Sequence, residues 1–261
     1  VLHYDDGLPQ LRLDDDDEWQ GKIDALLSDP VELVSFAFGL PGPDVVRALQ
    51  RAGSAVLATV TTAAEAVQAA GQGVDALVVQ HTSAGGHSAA FRPAPEAHVA
   101  PPGGSQLALP GGTTAELLAE VRSAVGLPLV AAGGIMDAAG LDAVLRAGAV
   151  AAQLGTAFLR TDQSGAKQLH KDALADPHFT RTRLTRAFTG RQARALENEF
   201  VRDHPGAPEA YPAVHHLTAP LRAAAAAAGD AERLNLWAGT GWQKAQAGPV
   251  AGVVHGLLAG R

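Results

Sequence analysis

One pattern recurs from Val31 onward and leaves few folds open: an apolar run of strand length, a short loop carrying glycine or proline, an amphipathic stretch of helical length, then the next apolar run. It occurs five times. The first unit is VELVSFAF (Val31 to Phe38) with the loop GLPGP and a helix opening near Asp44, an acidic residue suited to a first helical turn. SAVLATV follows, with Thr61 or Thr62 as cap for AAEAVQAAG, then DALVVQ, a long loop, and TTAELLAEVRSAVG, where Thr114 and Glu116 stand in a helix-start context. The last two are LPLVAAGGI with MDAAGLDAVLRAG, and AVAAQLGTAFL with SGAKQLHKDALAD. Strands alternating with helices at this spacing predict a parallel sheet with right-handed crossovers.

Composition agrees with an α/β class. The 261 residues suffice for one large α/β domain or two small ones, and 47% are hydrophobic with few aromatics, which suits helices packed closely on a parallel sheet. A net charge of -7 without a Lys/Arg tract argues against nucleic acid as a partner. The chain has no cysteine, which excludes disulfides, thiolate metal sites and a thiol nucleophile. No apolar run approaches the ~18 residues of a membrane span, and VLHYDDGLPQ lacks the charge and hydropathy pattern of a secretory leader. The expectation is a soluble, cytoplasmic protein with no membrane partner. The run DDDDE (Asp14 to Glu18) lacks the spaced ligands and central glycine of a calcium loop and reads as a solvated face.

Three regions follow: an N-terminal segment over 1–30, five βα units over 31–178, and a helical extension of the same domain over 179–261, where no second set of strands is visible. The loop from His81 to Gly112 is too long for a plain connection, which marks it as a functional segment or lid. Five parallel strands do not close an eight-stranded barrel.

Three short stretches carry chemistry. QHTSAGGH ends a buried strand with two glycines and a histidine, so that a bulky group can approach the backbone while an imidazole reaches over it; a tight turn is the bland alternative. AAGGI and AQLGT each put glycine at the C-terminal edge of a strand, the ligand face of parallel α/β folds. Backbone N–H groups there form an anion cradle that needs glycine for a phosphate to approach, and Thr156 adds a hydroxyl. His215 and His216 are adjacent and there is no HExxH, so no metal site is expected. The arginines from Arg181 to Arg194 read as solvated or paired with carboxylates.

LVSFAFGLP, VVQHTSAGGH, LPLVAAGGIMDAAGLDAVLRAGAVAAQLGTAFL, TGRQARALENEFV and LWAGTG, in this order, resemble the nitronate monooxygenase family, FMN-dependent TIM-barrel enzymes. The resemblance runs from about Trp19 to the C-terminus. It implies a TIM-type (β/α) barrel lacking its first three strands, the sequence corresponding to the C-terminal two-thirds of such a protein. It further implies FMN, with Gln80 and Gly85 at the flavin, Gly133 and Gly134 at its phosphate or ribityl end, and Gln153, Leu154, Gly155 and Thr156 completing the phosphate cradle. His87 matches the family's active-site histidine. Trp237, Gly239 and Gly241 resemble a segment lining the site. Ser83 stands where family members often carry Glu, and His81 and Ser88 are atypical; Thr59 and Gln80 depart from a quinone-reductase branch.

The activity so implied is oxidation of alkyl nitronates, such as propionate 3-nitronate, by FMN and molecular oxygen. A nitronate is already an electron-rich anion and needs no proton removed, whereas a neutral nitroalkane needs a base, for which His87 with its ordinary pKa near neutrality is the candidate. The alternatives are an NADH-dependent flavin enoyl-ACP reductase, which also carries a GGH segment, and a non-catalytic, incomplete flavin-binding barrel. A homo-oligomer is compatible with the chain.

Overall fold

Five of the six residues of β2 (Ala55–Val60) are buried, as a strand covered on both faces requires. The computed structural model describes residues 9, 11, 16–91 and 112–259. The loop expected to be a functional segment or lid lies, over 92–111, outside the described residues, as do Asp14 and Asp15 of the acidic run. β2 is flanked by β1 (Leu33–Phe36) and β3 (Ala76–Gln80), and β5 (Leu129–Ala132) and β6 (Ala151–Gln153) continue a five-stranded sheet in the order β1-β2-β3-β5-β6. Every pairing in it is parallel. The five expected units are all present, and the result is the open sheet of a partial barrel.

Alternation along the strands divides the apolar residues between two faces. Val56, Ala58, Val60, Leu77, Val79 and Ala131 join the main core, while Leu57, Val78 and Ala132 form a small cluster of their own. The main core is completed by Val46 and Leu49 of α2 (Pro43–Arg51), Ala66 and Ala69 of α3 (Ala63–Gly71), Leu117, Leu118 and Val121 of α4 (Thr114–Ala124), and Val144 of α5 (Ala138–Arg146). Ile23 of the preceding α1 (Trp19–Ser28) packs there too.

The helices begin where their sequences provide a cap. Thr62 accepts from the Glu65 N–H, Asp137 from the Gly140 N–H, and Thr113 forms a capping box with Glu116. At α2 the start is set by Pro43, with Asp44 inside the first turn and ion-paired to Arg47.

After residue 154 the architecture changes. The 3₁₀ turn Thr156–Phe158 leads to α6 (Gln168–Ala173), then to β7 (Thr182–Thr185) and β8 (Ala193–Leu196), which pair antiparallel, followed by α7 (Glu199–Asp203), α8 (Ala213–Ala227) and α9 (Val250–Leu258). A two-residue strand, β4 (Gly86–His87), adds antiparallel to β8 and completes a three-stranded sheet, β4-β8-β7. The expected C-terminal helices are present, and the expectation that no second set of strands follows residue 178 is corrected by this sheet. TRLT and ARAL are four-residue segments rich in Arg, Ala and Leu, which favour helix, and their strand conformation comes from pairing with distant chain.

The described residues fall into two compact units: those of Asp17–Ser83 and Ser88–Leu154 in one, those of Ala84–His87 and Gly155–Arg261, with the few before Asp17, in the other. The segment 155–178, expected to finish the fifth βα unit, therefore clusters with the C-terminal part. Among the described residues no helix is long and apolar enough to cross a membrane.

Candidate functional site

In the parallel-sheet unit the strand register aligns the expected residues. Gln80 pairs with Ala132 and Ala132 with Gln153, so three adjacent strands end on one row. Gly133 and Gly134 directly follow that row with φ of 109° and 72°, a conformation few other residues adopt. The Thr114 hydroxyl donates to the Gly133 carbonyl at 2.8 Å and pins the turn. Gln80 Oε1 accepts the Ala89 N–H at 2.8 Å, which closes the excursion that begins at His81. Within that excursion His81 is buried, and its Nδ1 lies 2.9 Å from Ser83 Oγ and accepts the Ser83 N–H, so two of the atypical positions are partners of each other. Glu65 is a buried strut that sequence inspection missed: it accepts from the Thr61 N–H, the Thr61 hydroxyl and the Phe91 N–H.

The C-terminal unit starts at Gly155, where an added Cβ would meet open space. Thr156 Oγ1 accepts the Gly239 N–H at 3.0 Å and keeps its own proton for a further acceptor. Gly85 has a local reason to be glycine: a Cβ there would sit 2.6 Å from the Ala238 carbonyl carbon and the Gly239 nitrogen. Close approach of two backbones, independent of any cofactor, fixes that residue.

His87 stands opposite Ala193 in the β4–β8 ladder, and its Nε2 lies 2.8 Å from Thr189 Oγ1. The ring rests against Trp237, with centroids 5.2 Å apart. Burial, followed by the positive charges of Arg191, His215 and Arg222, lowers its pKa from the ordinary 6.5 to about 4. The sequence suggested a base titrating near neutrality; in the folded protein the ring holds a proton only at distinctly acidic pH. Arg222 is itself fixed, donating from Nε to Thr218 Oγ1 and from Nη2 to the His215 carbonyl, and burial lowers its pKa.

Of the arginines expected to be solvated or paired, Arg181 and Arg183 do bridge to buried Glu197, and Arg186 bridges to Glu209. Arg194 instead donates to Thr182 Oγ1 and is partly buried. Arg191, Arg222, His215 and Thr189 were missed as neighbours of His87. Only the TGR of 189–191, a turn-forming glycine between two polar residues, hinted at them. Among the described residues no group of three or more His, Cys, Asp or Glu is placed to hold a metal.

The residues present fit a phosphate-bearing cofactor. In the parallel-sheet unit two consecutive glycines at positive φ close a strand end, where backbone N–H groups can meet an anion with no side chain between.

The nitronate monooxygenase family model matches residues 5–260. A probable nitronate monooxygenase of Staphylococcus aureus strain MSSA476 is 32% identical over 262 aligned positions, covering 99% of this chain and 70% of its own. Nitroalkane oxidase from Streptomyces ansochromogenes superposes with a TM-score of 0.85 at 52% identity, over 94% of this chain and 68% of that one. FabK from Thermotoga maritima, with a TM-score of 0.67 at 24% identity over 92% of this chain and 71% of its own, shares the fold. By the family match and the extent of these likenesses, the chain belongs to the nitronate monooxygenase family of flavin-dependent oxidoreductases.

Proposed function

We propose that this chain oxidises alkyl nitronates, propionate 3-nitronate among them, with FMN and molecular oxygen. The observation that carries the reading is a neutral His87 among the cations of Arg191 and Arg222. Such surroundings oppose a second positive charge and favour an anion, and a nitronate is one.

In the parallel-sheet unit, the N–H groups at Gly133 and Gly134 would hold the FMN phosphate and Gln80, its Oε1 accepting the Ala89 N–H, would stand at the flavin, with Gln153 and Leu154 on the same sheet edge. In the C-terminal unit, Gly155 leaves backbone room and the Thr156 hydroxyl keeps a proton to give. FMN, when bound, supplies the electron acceptor for the nitronate and the reaction with oxygen. In the C-terminal unit, Arg191 and Arg222 attract the anion. His87, neutral at working pH, takes the α-proton when the substrate is a neutral nitroalkane. A pKa of about 4 makes it a weak base, so nitroalkanes are the slower substrates.

The test is oxygen uptake by FMN-loaded protein with propionate 3-nitronate and with a nitroalkane, in the absence of nicotinamide. The expected result is faster uptake with the nitronate and stoichiometric FMN. A requirement for NADH, or recovery of FAD in place of FMN, overturns the reading.

A further inference from the structure

Thr189 is buried, and its hydroxyl makes three contacts: 2.8 Å to His87 Nε2, 3.2 Å to the Arg191 carbonyl and 3.3 Å to the Arg191 N–H. A threonine hydroxyl has one proton to give and two lone pairs to receive with. The Arg191 N–H can only donate and the Arg191 carbonyl can only accept. The hydroxyl proton therefore goes to the carbonyl, one lone pair takes the Arg191 N–H, and the remaining lone pair faces His87. All three contacts are satisfied together only if His87 Nε2 carries a hydrogen. Were the hydroxyl to donate to Nε2 instead, its contact with the Arg191 carbonyl would have no proton in it.

The backbone leaves Thr189 little choice of position. The Thr189 and Gly190 N–H groups both bond the Arg186 carbonyl, and the Ala210 N–H bonds the Gly190 carbonyl. Gly190 has φ of 74°, and a Cβ on it would lie 2.6 Å from the Ala210 carbonyl carbon, so the turn cannot shift toward that side. On the preceding residue, the Phe188 carbonyl accepts the Thr218 hydroxyl. On the other side of the pair, His87 is set by its register opposite Ala193.

We propose that Thr189 is a positioning residue that locks neutral His87 in the Nε2–H tautomer, so that Nδ1 is the ring's proton-accepting atom. The depressed pKa of His87 keeps the ring neutral over the range in which a choice of tautomer matters. Resting on the function proposed above, the consequence for a neutral nitroalkane is one step. The α-carbon–hydrogen bond breaks, its electron pair moves into the nitro group to give the nitronate, and the proton is received at Nδ1.

The experiment is nitrogen-15 NMR of the full chain, labelled at histidine and at pH 7, with His87 assigned by its loss in His87→Asn. Ring nitrogens that bear hydrogen are resolved from those that do not, so the tautomer is read without turnover. Wild type and Thr189→Ser are expected to show hydrogen on Nε2 and a bare Nδ1, and Thr189→Val a mixture of tautomers. Hydrogen on Nδ1 in the wild type, or a Val variant with the wild-type tautomer, overturns the proposal. Because the Ser variant keeps the hydroxyl, a Ser variant that lost the Nε2 hydrogen would overturn the proposal too, even if the Val variant fails to fold. In oxygen uptake, kcat for a nitroalkane is expected to fall at least about 10-fold in the Val variant and to return in the Ser variant, the nitronate rate changing little, since an imidazole in the wrong tautomer is a poor base. If the wild type oxidised no nitronate at all, the functional reading would fall while the NMR result on the tautomer stood.

Discussion

His87 owes its chemistry to neighbours that lie far from it in sequence: Thr189 is 102 positions away, and Arg191 and Arg222 are farther still. Replacing it tests two consequences. His87→Asn should lower oxygen uptake on neutral nitroalkanes by about 10² to 10⁴, the usual worth of a placed general base, while uptake on pre-formed nitronates largely survives. A parallel loss on both substrates would make the residue structural. The second consequence concerns stability. Above pH 6.5 the ring is neutral whether the chain is folded or not, but between 6.5 and about 4 the unfolded chain gains a proton that the folded protein refuses. Stability attributable to this residue is therefore complete above the unfolded pKa, falls as the pH drops through that window, and levels off below about 4. The loss is at most roughly 3 kcal/mol, less what solvent screens. Urea titrations at several pH values should show a shallower acid slope for His87→Asn than for wild type, and equal slopes would contradict the lowered pKa.

Among the described elements β4 is the shortest, and a side chain on Gly85, which leads into it, would meet the backbone at Ala238 and Gly239. Gly85→Ala should destabilise the flavin-free protein by about 1–3 kcal/mol, the cost of forcing an extra carbon into a filled place, as measured by urea denaturation. An unchanged midpoint would return this glycine to a role in cofactor contact alone. β4 and β8 also show where the sequence stops speaking. The parallel strands were legible because their apolar runs are continuous and each is followed by a capped amphipathic helix, as with LVVQ or the Thr113–Glu116 box. The glycines after β5 and β6 were legible because strand ends of parallel sheets put loops and ligands on one edge. ARAL and TRLT are only four residues long and mix arginine with helix-favouring residues, and GH is too short to carry any pattern, so the antiparallel sheet is written in long-range pairing that no local window contains. For the same reason His87 could be singled out while Thr189, Arg191 and Arg222 could not.

For the molecule as a whole, a net charge of -7 contrasts with the cations beside His87. Remote carboxylates repel an anionic substrate, but at physiological salt their field is screened beyond about 8 Å, so the nearby guanidinium groups dominate. Raising ionic strength should accordingly lower kcat/KM for propionate 3-nitronate and leave that for a neutral nitroalkane nearly constant. A rise for the nitronate would mean that the net charge governs encounter. The pairing of β4 with β8 also has a consequence in time. A ribosome finishes Gly86 and His87 early, yet their ladder partners Arg194 and Ala193 follow only after roughly 100 further residues, on the order of ten seconds at usual elongation speeds. During that interval the histidine is an ordinary side chain, protonated or not as the surrounding pH dictates. It becomes the neutral, single-tautomer group of the finished protein only when the far strand arrives, so the moment of β8 docking is also the moment at which the chemistry of this residue is set.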